Sequence, residues 1–243
     1  MPASTPTLPA CCSALQTDWP LPQALPGLIL HSCRFDPAQL APDDFARSRL
    51  TPPPGIATAA RKRQSEFLAG RLCAASALCQ LSGTASFPPR GEDNAPRWPA
   101  GITGSITHSH GWAAALVGHH DAWRGLGLDA EALLTTERAE RLAEQILTAA
   151  ELQHFQQLPA EHRAPYLTLC FSLKESLFKA LYPLVQRRFY FHTAALVEQA
   201  DNGRVRLQLR EDLSAEWRLG SCLEGQFVLH EERLLSLVAI PAD

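Results

Sequence analysis

The sequence lacks a large excess of charge of either sign: 22 lysines and arginines stand against 25 aspartates and glutamates, for a formal net charge of −3. This balance offers no global attraction to nucleic acid or to an anionic membrane, so any basic site has to be local. Charged residues make up only 19% of the chain, whereas hydrophobic residues make up 46%. The 243 residues can therefore bury a real core, as one large domain or two small ones, and disorder of the whole chain is not expected.

Paired cysteines and long apolar runs are also missing. The seven cysteines are odd in number, scattered and without a CxxC pair, which argues against a disulfide framework or a zinc ribbon and for reduced thiols. No stretch approaches the roughly 18 uninterrupted apolar residues of a membrane span, and the first residues show no cationic segment followed by an apolar one. We therefore expect a soluble, cytoplasmic protein with no membrane span and no nucleic-acid partner.

The hydrophobic pattern predicts a helix followed by strands, twice over. Residues 1–56 are rich in proline and predict an irregular wrapping segment with one short strand. Periodicity near 3.6 predicts helices at about 59–81, 136–147 and 166–184, with a Thr148–Glu151 capping box opening one more. Short β-compatible runs predict strands at about 104–108, 112–119, 126–131, 188–198, 205–210, 226–230 and 234–240. This order indicates an α+β fold with two similar halves.

Two acids close the glycine-containing run 125–131. On an extended strand, residues i and i+2 point to the same face, so the carboxylates of Asp129 and Glu131 converge. Magnesium is bound in this way, by one or two carboxylates together with substrate phosphates. Taken alone, the pair is more often two solvated acids on an edge strand.

A second group of polar residues lies on the helix predicted at 166–184. Ser172, Glu175 and Lys179 share a stripe, on a different side from the apolar stripe that begins at Leu173. Glu175 and Lys179 at i, i+4 are also a common surface ion pair, which is the simpler explanation for an arbitrary helix. A carboxylate beside a metal and a lysine is nevertheless equipped to take a proton from an alcohol, while the lysine balances charge on a phosphate.

Histidines and basic residues form the remaining candidates. His108 at a strand end near glycines is able to donate to a phosphate, and a satisfied turn histidine is an equal alternative. His108 with His110 also permits a zinc hydrolase, because His-x-His pairs ligate zinc. The basic run 61–63, with Arg71 further along the same helix, places positive charge near a helix N-terminus, where it is unfavourable unless an anion binds.

Four motifs occur in a fixed order: Phe67–Arg71, Gly104–Ser109, Gly127–Glu131 and Phe171–Ala180. Together they closely resemble the Sfp-type 4′-phosphopantetheinyl transferases, in the branch typified by enterobactin synthase component D. The resemblance is strong over about 60–185 and weak over the first fifty residues. Ala130 departs from the branched apolar residue often found between the two acids.

The resemblance implies a pseudo-two-fold α+β monomer in which each half is a small antiparallel sheet packed with helices. The N-terminal half, 1–122, is expected to hold the phosphates of coenzyme A. The C-terminal half, 123–243, is expected to carry the metal acids, the catalytic helix and the last strands. Coenzyme A and Mg²⁺ are expected in the cleft between the halves.

The resemblance also assigns roles by motif. The expected metal ligands are Asp129, Glu131 and Glu175. The expected catalytic residues are Glu175 as the base, Lys179 at the reacting phosphate, and Lys174 assisting. The expected coenzyme A contacts are Lys62, Arg71, Arg90 and His108, with Arg63 or Arg97 as replacements for Lys62 or Arg90.

The implied reaction moves the phosphopantetheine arm of coenzyme A to a serine of an apo acyl or peptidyl carrier protein and releases 3′,5′-ADP. Fatty-acid, polyketide and siderophore synthesis all use such carriers, and the sequence does not choose among them. A carrier- or coenzyme A-binding module without activity is the alternative. It is disfavoured because Asp129, Glu131, Glu175 and Lys179 are all present.

Overall fold

The structure is a computed structural model that describes residues 8–242. Its strands are β1 (Ile29–Arg34), β2 (Ile102–Ser109), β3 (Trp112–His119), β4 (Trp123–Ala132), β5 (Ala194–Gln199), β6 (Arg204–Leu209), β7 (Cys222–His230) and β8 (Arg233–Pro241). Its α-helices are α1 (Asp44–Arg47), α2 (Pro54–Ala57), α3 (Arg61–Ser82), α4 (Thr136–Ile146), α5 (Ala149–Gln157) and α6 (Ala160–Val185). The described residues divide into two compact units.

The first unit contains the described residues up to Asp18 and Gly27–Gly118. Its sheet has the strand order β1-β3-β2, with β1 antiparallel to β3. The long helix α3 packs on this sheet. At Gly83, the C-cap of α3, φ is 74°, a left-handed conformation that glycine adopts without steric strain.

The second unit contains Trp19–Pro26 and the chain from His119 onward. Its five-stranded antiparallel sheet has the order β4-β8-β7-β6-β5. Helix α6 packs on β4 and β8, and its buried leucines Leu173, Leu177 and Leu181 belong to the main apolar core. Both units thus combine an antiparallel sheet with one long helix, and the predicted α+β class is confirmed.

Most predicted elements are present, and the differences have local causes. The capping box of α5 forms, because Thr148 N donates to the Glu151 carboxylate and Glu151 N donates to Thr148 Oγ1. Helix α6 begins at Ala160, six residues before the predicted start, because Pro165 is accommodated inside it. The strand predicted from 188 begins only at Ala194, because a 3-10 turn at Phe191–Thr193 precedes it.

Across residues 8–242, no helix combines the length and apolar character that a membrane crossing requires.

Candidate active site

In the second unit, two glycines of β4 let α6 approach the sheet at backbone distance. A Cβ atom on Gly127 would lie 1.8 Å from the Ser176 carbonyl oxygen, and one on Gly125 would lie 2.3 Å from the Ala180 carbonyl oxygen. Two strand residues advance about 6.7 Å, and four helix residues about 6 Å. Two residues of β4 therefore match four residues of α6 in length. The same interval beyond Gly127 and Ser176 pairs Asp129 with Ser172.

Asp129 is held from two sides at this point. Its Oδ1 accepts a hydrogen bond from Lys179 Nζ at 2.6 Å, and its Oδ2 accepts one from Ser172 Oγ at 2.9 Å. Lys179 also donates to the Leu128 carbonyl oxygen at 3.0 Å. The Asp129 side chain is 6% exposed, whereas that of Lys179 is 28% exposed. The lysine thus remains open to solvent on one side while it neutralises the aspartate.

Two further carboxylates share this electrostatic environment. The pKa of Glu131 is raised to about 7. Burial is the largest cause, the negative charges of Asp129 and Glu175 also raise the pKa, and Lys179 lowers it. Burial also raises the pKa of Glu175, with Lys179 lowering it and Asp129 raising it. Three acids therefore interact around a single lysine.

This donor set fits a hard divalent cation. Magnesium keeps several waters and usually takes only one or two carboxylates, with substrate phosphates completing its coordination. Among residues 8–242, no three histidine, cysteine or acidic side chains form a preassembled metal cluster. Burial and the neighbouring charge of Asp129 both raise the pKa of Glu131, and a bound cation would offset both effects by favouring the ionised carboxylate.

Lys174, expected to assist catalysis, lies elsewhere. Its Nζ donates to Glu151 Oε2 at 2.6 Å and to the Ile146 carbonyl oxygen at 2.8 Å, and both side chains are almost fully buried. Adjacent residues on a helix point about 100° apart, so the side chains of Lys174 and Glu175 face different parts of the protein. These contacts favour a structural role for Lys174, and its expected catalytic role stays a prediction.

In the first unit, Arg71 is a buried cation whose Nε atom lacks a partner. Only 7% of Arg71 is exposed, its guanidinium lies over the Phe67 ring at 4.8 Å, and Nε has no hydrogen-bond partner among the described residues. Burial, together with the charges of Arg63 and Arg90, lowers the pKa of Arg71 to about 10. Three like charges with an unsatisfied buried donor form a site that an anion would stabilise.

His108 lies on β2 in the same unit, held by two residues of α3. Arg63 Nη1 donates to His108 Nε2 at 2.9 Å, so in the neutral ring Nδ1 carries the proton. That Nδ1 lies 3.8 Å from Glu66 Oε2, and Arg63 Nη1 lies 3.3 Å from the same oxygen. His110 instead occupies the following turn, with φ of 43°. This arrangement favours phosphate binding by His108 over a His-x-His zinc site.

The expected basic residues differ in their interactions. Arg63 and Arg90 act electrostatically on Arg71, whereas the exposed Lys62 ammonium makes no ion pair with the described residues. Glu66 was missed by the sequence reasoning; its signal was the i, i+3 spacing from Arg63. Ser236 on β8 was also missed, and no local signal marks it, because it meets Ser172 through a contact 64 positions apart.

Two family descriptions match the chain. Residues 52–118 match the 4′-phosphopantetheinyl transferase N-terminal domain, and residues 125–233 match the 4′-phosphopantetheinyl transferase superfamily. Together the two matched regions cover most of the chain and include every expected site residue.

Three relatives are similar to this chain at 35%, 36% and 32% sequence identity. The 4′-phosphopantetheinyl transferase Npt of Nocardia iowensis is 35% identical over 150 residues, which is 61% of this chain and 65% of that protein, slightly under two thirds. Enterobactin synthase component D of Escherichia coli (strain K12) is 36% identical over 154 residues, 63% of this chain and 71% of that protein. The 4′-phosphopantetheinyl transferase Svp of Streptomyces mobaraensis is 32% identical over 211 residues, 83% of this chain and 82% of that protein.

One solved structure, titled "Chronobacterium ammoiniagenes apo-ACPS structure", matches at a TM-score of 0.36 and 20% identity over 47% of this chain and 93% of that chain. It is too distant to carry an argument about the site. The domain matches and the relatives identify the chain as a member of the 4′-phosphopantetheinyl transferase family, of the enterobactin synthase component D and Sfp type.

Proposed function

We propose that this chain transfers the 4′-phosphopantetheine arm of coenzyme A to a serine hydroxyl of an apo carrier protein and releases 3′,5′-ADP. The observation that carries the proposal is the arrangement of charged residues on β4 and α6. Lys179 binds Asp129, and two further acids, Glu131 and Glu175, interact electrostatically with this pair. Family membership supports the same reaction.

The first unit is proposed to bind the phosphates of coenzyme A. Arg71 supplies a buried guanidinium with a free donor, and Arg63 and Arg90 add positive charge to it. His108 adds a ring that Glu66 and Arg63 orient. A guanidinium binds a phosphate through paired hydrogen bonds that a lysine does not reproduce, which favours Arg63 over Lys62 as the partner of Arg71.

The second unit is proposed to carry the chemistry. Asp129 and Glu131 would hold Mg²⁺, with Glu175 as an additional ligand, the base, or both. When bound, Mg²⁺ supplies charge neutralisation at the pyrophosphate. Lys179 stabilises negative charge on the transferred phosphoryl group.

Glu175 is proposed to receive the proton of the attacking hydroxyl. The serine oxygen forms a bond to the phosphorus that carries pantetheine, and the bond from that phosphorus to the bridging oxygen breaks. The electron pair leaves with 3′,5′-ADP, and the hydroxyl proton moves to the Glu175 carboxylate. Burial raises the pKa of Glu175 above that of an ordinary carboxylate, which makes its carboxylate a stronger base.

The partners are proposed to be apo acyl and peptidyl carrier proteins. The enzyme is proposed to be a monomer that acts in the cytoplasm. All seven cysteines are free thiols, which agrees with a reducing compartment.

The test is a side-by-side assay with a fatty-acid carrier and a peptidyl carrier. Each apo carrier is incubated with the enzyme, coenzyme A and MgCl₂, and intact mass reports the addition of one phosphopantetheine arm.

In the same assay, we expect Glu175→Gln to lower kcat by about 10²- to 10⁴-fold. A wild-type enzyme that modifies neither carrier would contradict the proposal, and the preferred carrier is the one with the higher kcat/KM.

A further inference from the structure

Three buried serines form a continuous chain of hydrogen bonds that ends on Asp129. Ser172 Oγ donates to Asp129 Oδ2 at 2.9 Å and lies 2.8 Å from Ser236 Oγ. Ser236 Oγ lies 2.8 Å from Ser176 Oγ, which also lies 3.1 Å from the Ser236 carbonyl oxygen. All three serines are 0% exposed.

The chain has a defined direction. An ionised carboxylate only accepts hydrogen bonds, so the Ser172 proton points to Asp129. Ser172 then has only lone pairs left for Ser236, so Ser236 donates to Ser172. Ser176 has a single proton, which it shares between the Ser236 carbonyl oxygen and Ser236 Oγ in a bifurcated hydrogen bond. Each hydroxyl polarises the next, which strengthens the final bond to the carboxylate.

The fold fixes Asp129 through this chain from two elements at once. Ser236 lies directly opposite Asp129 in the register between β4 and β8. Ser172 and Ser176 lie one turn apart on α6, where the glycines of β4 allow close approach. A single serine would satisfy Oδ2, so the second and third hydroxyls hold the rotamer of the first.

We propose that Ser172 and Ser236 are positioning residues that fix the orientation of the Asp129 carboxylate for the divalent cation. This inference rests on the proposed function, because it assumes that Asp129 is a metal ligand. Residues that hydrogen-bond to a ligand in this way orient it, and their loss typically weakens metal affinity by about 10- to 100-fold.

The primary measurement is metal binding, independent of turnover. Mn²⁺ is titrated into the full-length protein with coenzyme A present, and free Mn²⁺ is read by electron paramagnetic resonance. Ser172→Ala and Ser236→Ala are each expected to weaken Mn²⁺ binding by about tenfold. Ser176→Ala, two hydrogen bonds from Asp129, is expected to have the smallest effect of the three.

Steady-state kinetics supply the second readout. The half-saturating Mg²⁺ concentration should rise by about tenfold in Ser172→Ala and Ser236→Ala, while kcat at saturating Mg²⁺ falls much less. Ser236→Cys fills the same space with a weaker donor and should lie between wild type and Ser236→Ala. It also keeps the test decisive where the alanine variant folds poorly.

Thr168→Val is the matched control, because Thr168 is another fully buried hydroxyl of α6 and bonds to Ala164 O and Leu134 N rather than to Asp129. Mn²⁺ binding as tight in Ser172→Ala and Ser236→Ala as in wild type would overturn the inference. Equal weakening in Thr168→Val would also overturn it, as a general loss of stability. A wild-type protein that binds no Mn²⁺ and modifies no carrier would instead reject the proposed function itself.

Discussion

Arg71 shows how a single residue can be unfavourable for the free protein and useful for its ligand. Its guanidinium is buried, one donor lacks a partner, and the neighbouring charges of Arg63 and Arg90 repel it. An unsatisfied buried donor costs about 1–3 kcal/mol. A phosphate of coenzyme A would satisfy the donor and reduce the repulsion among the three cations. The site is thus organised for an anion before the anion arrives.

Replacing this residue should therefore separate stability from binding. We expect Arg71→Met to be at least as resistant to thermal unfolding as wild type, because the unsatisfied donor is removed. We expect coenzyme A to bind about 10- to 100-fold more weakly, because a charged hydrogen bond contributes about 1.5–3 kcal/mol. Calorimetric titration of coenzyme A and 3′-dephospho-coenzyme A measures the affinity and shows which phosphate Arg71 contacts.

Arg206→Met provides the control, because Arg206 is exposed and pairs with Glu198 and Glu224 on the surface. Surface pairs contribute about 0–1 kcal/mol, so coenzyme A affinity should not change. Unchanged affinity in Arg71→Met would remove Arg71 from the site.

At the scale of elements, the contact between β4 and α6 sets the site. Gly125 and Gly127 place backbone against backbone, and this close approach brings Ser172 and Lys179 to Asp129. The sequence predicted both elements and the convergence of the two acids on one face of the strand. It did not predict the distance between strand and helix, because the role of the glycines depends on a helix that follows about fifty residues later.

Gly127→Ala should disrupt this contact. The added Cβ would lie 1.8 Å from the Ser176 carbonyl oxygen, and backbone atoms do not give way as a flexible side chain does. We expect a loss of more than about 3 kcal/mol in the free energy of unfolding, measured by urea denaturation, together with loss of transfer activity as Asp129 moves.

Gly55→Ala is the matched substitution in α2, where a Cβ atom would meet nothing within 4 Å. Its stability should be unchanged or raised by up to about 1 kcal/mol. Equal stability of Gly127→Ala and Gly55→Ala would show that β4 and α6 are not held at backbone distance.

At the scale of the whole chain, sequence order gave the α+β class and most of the elements, because hydrophobic period and turn residues are local signals. The long-range partners were not predictable in this way. Lys174 stands beside Glu175 in the same motif, yet it bonds Glu151 of α5 and the end of α4. Ser236 meets Ser172 only because β8 is the neighbour of β4. The motif therefore predicted a set of site residues, and the packing of distant elements determines which of them contact Asp129.

The pair Glu151–Lys174 joins four elements of the second unit. Glu151 Oε2 accepts from Thr148 N, Thr148 Oγ1 and Lys174 Nζ, and Glu151 Oε1 accepts from Leu196 N of β5. Lys174 of α6 also donates to Ile146 at the end of α4. Removing one member of a buried ion pair typically destabilises a protein by about 3–5 kcal/mol.

The two single variants should differ in a defined order. Lys174→Met leaves Glu151 charged but still bound to three donors, whereas Glu151→Leu leaves the Lys174 ammonium with one carbonyl and frees the N–H groups of Thr148 and Leu196. We therefore expect Glu151→Leu to be the less stable, and the double variant to lose less than the sum of the two. Urea denaturation of all three variants measures this.

The same variants decide whether Lys174 takes part in the reaction. Assayed well below its unfolding temperature, Lys174→Met should keep kcat within about threefold of wild type, as expected for a residue that touches no reacting atom. Lys179→Met should lose activity, because it removes the cation that binds Asp129 and stabilises phosphoryl charge. A folded Lys174→Met with kcat as low as that of Lys179→Met would support the expected catalytic role of Lys174, and the buried pair would then have to open during turnover.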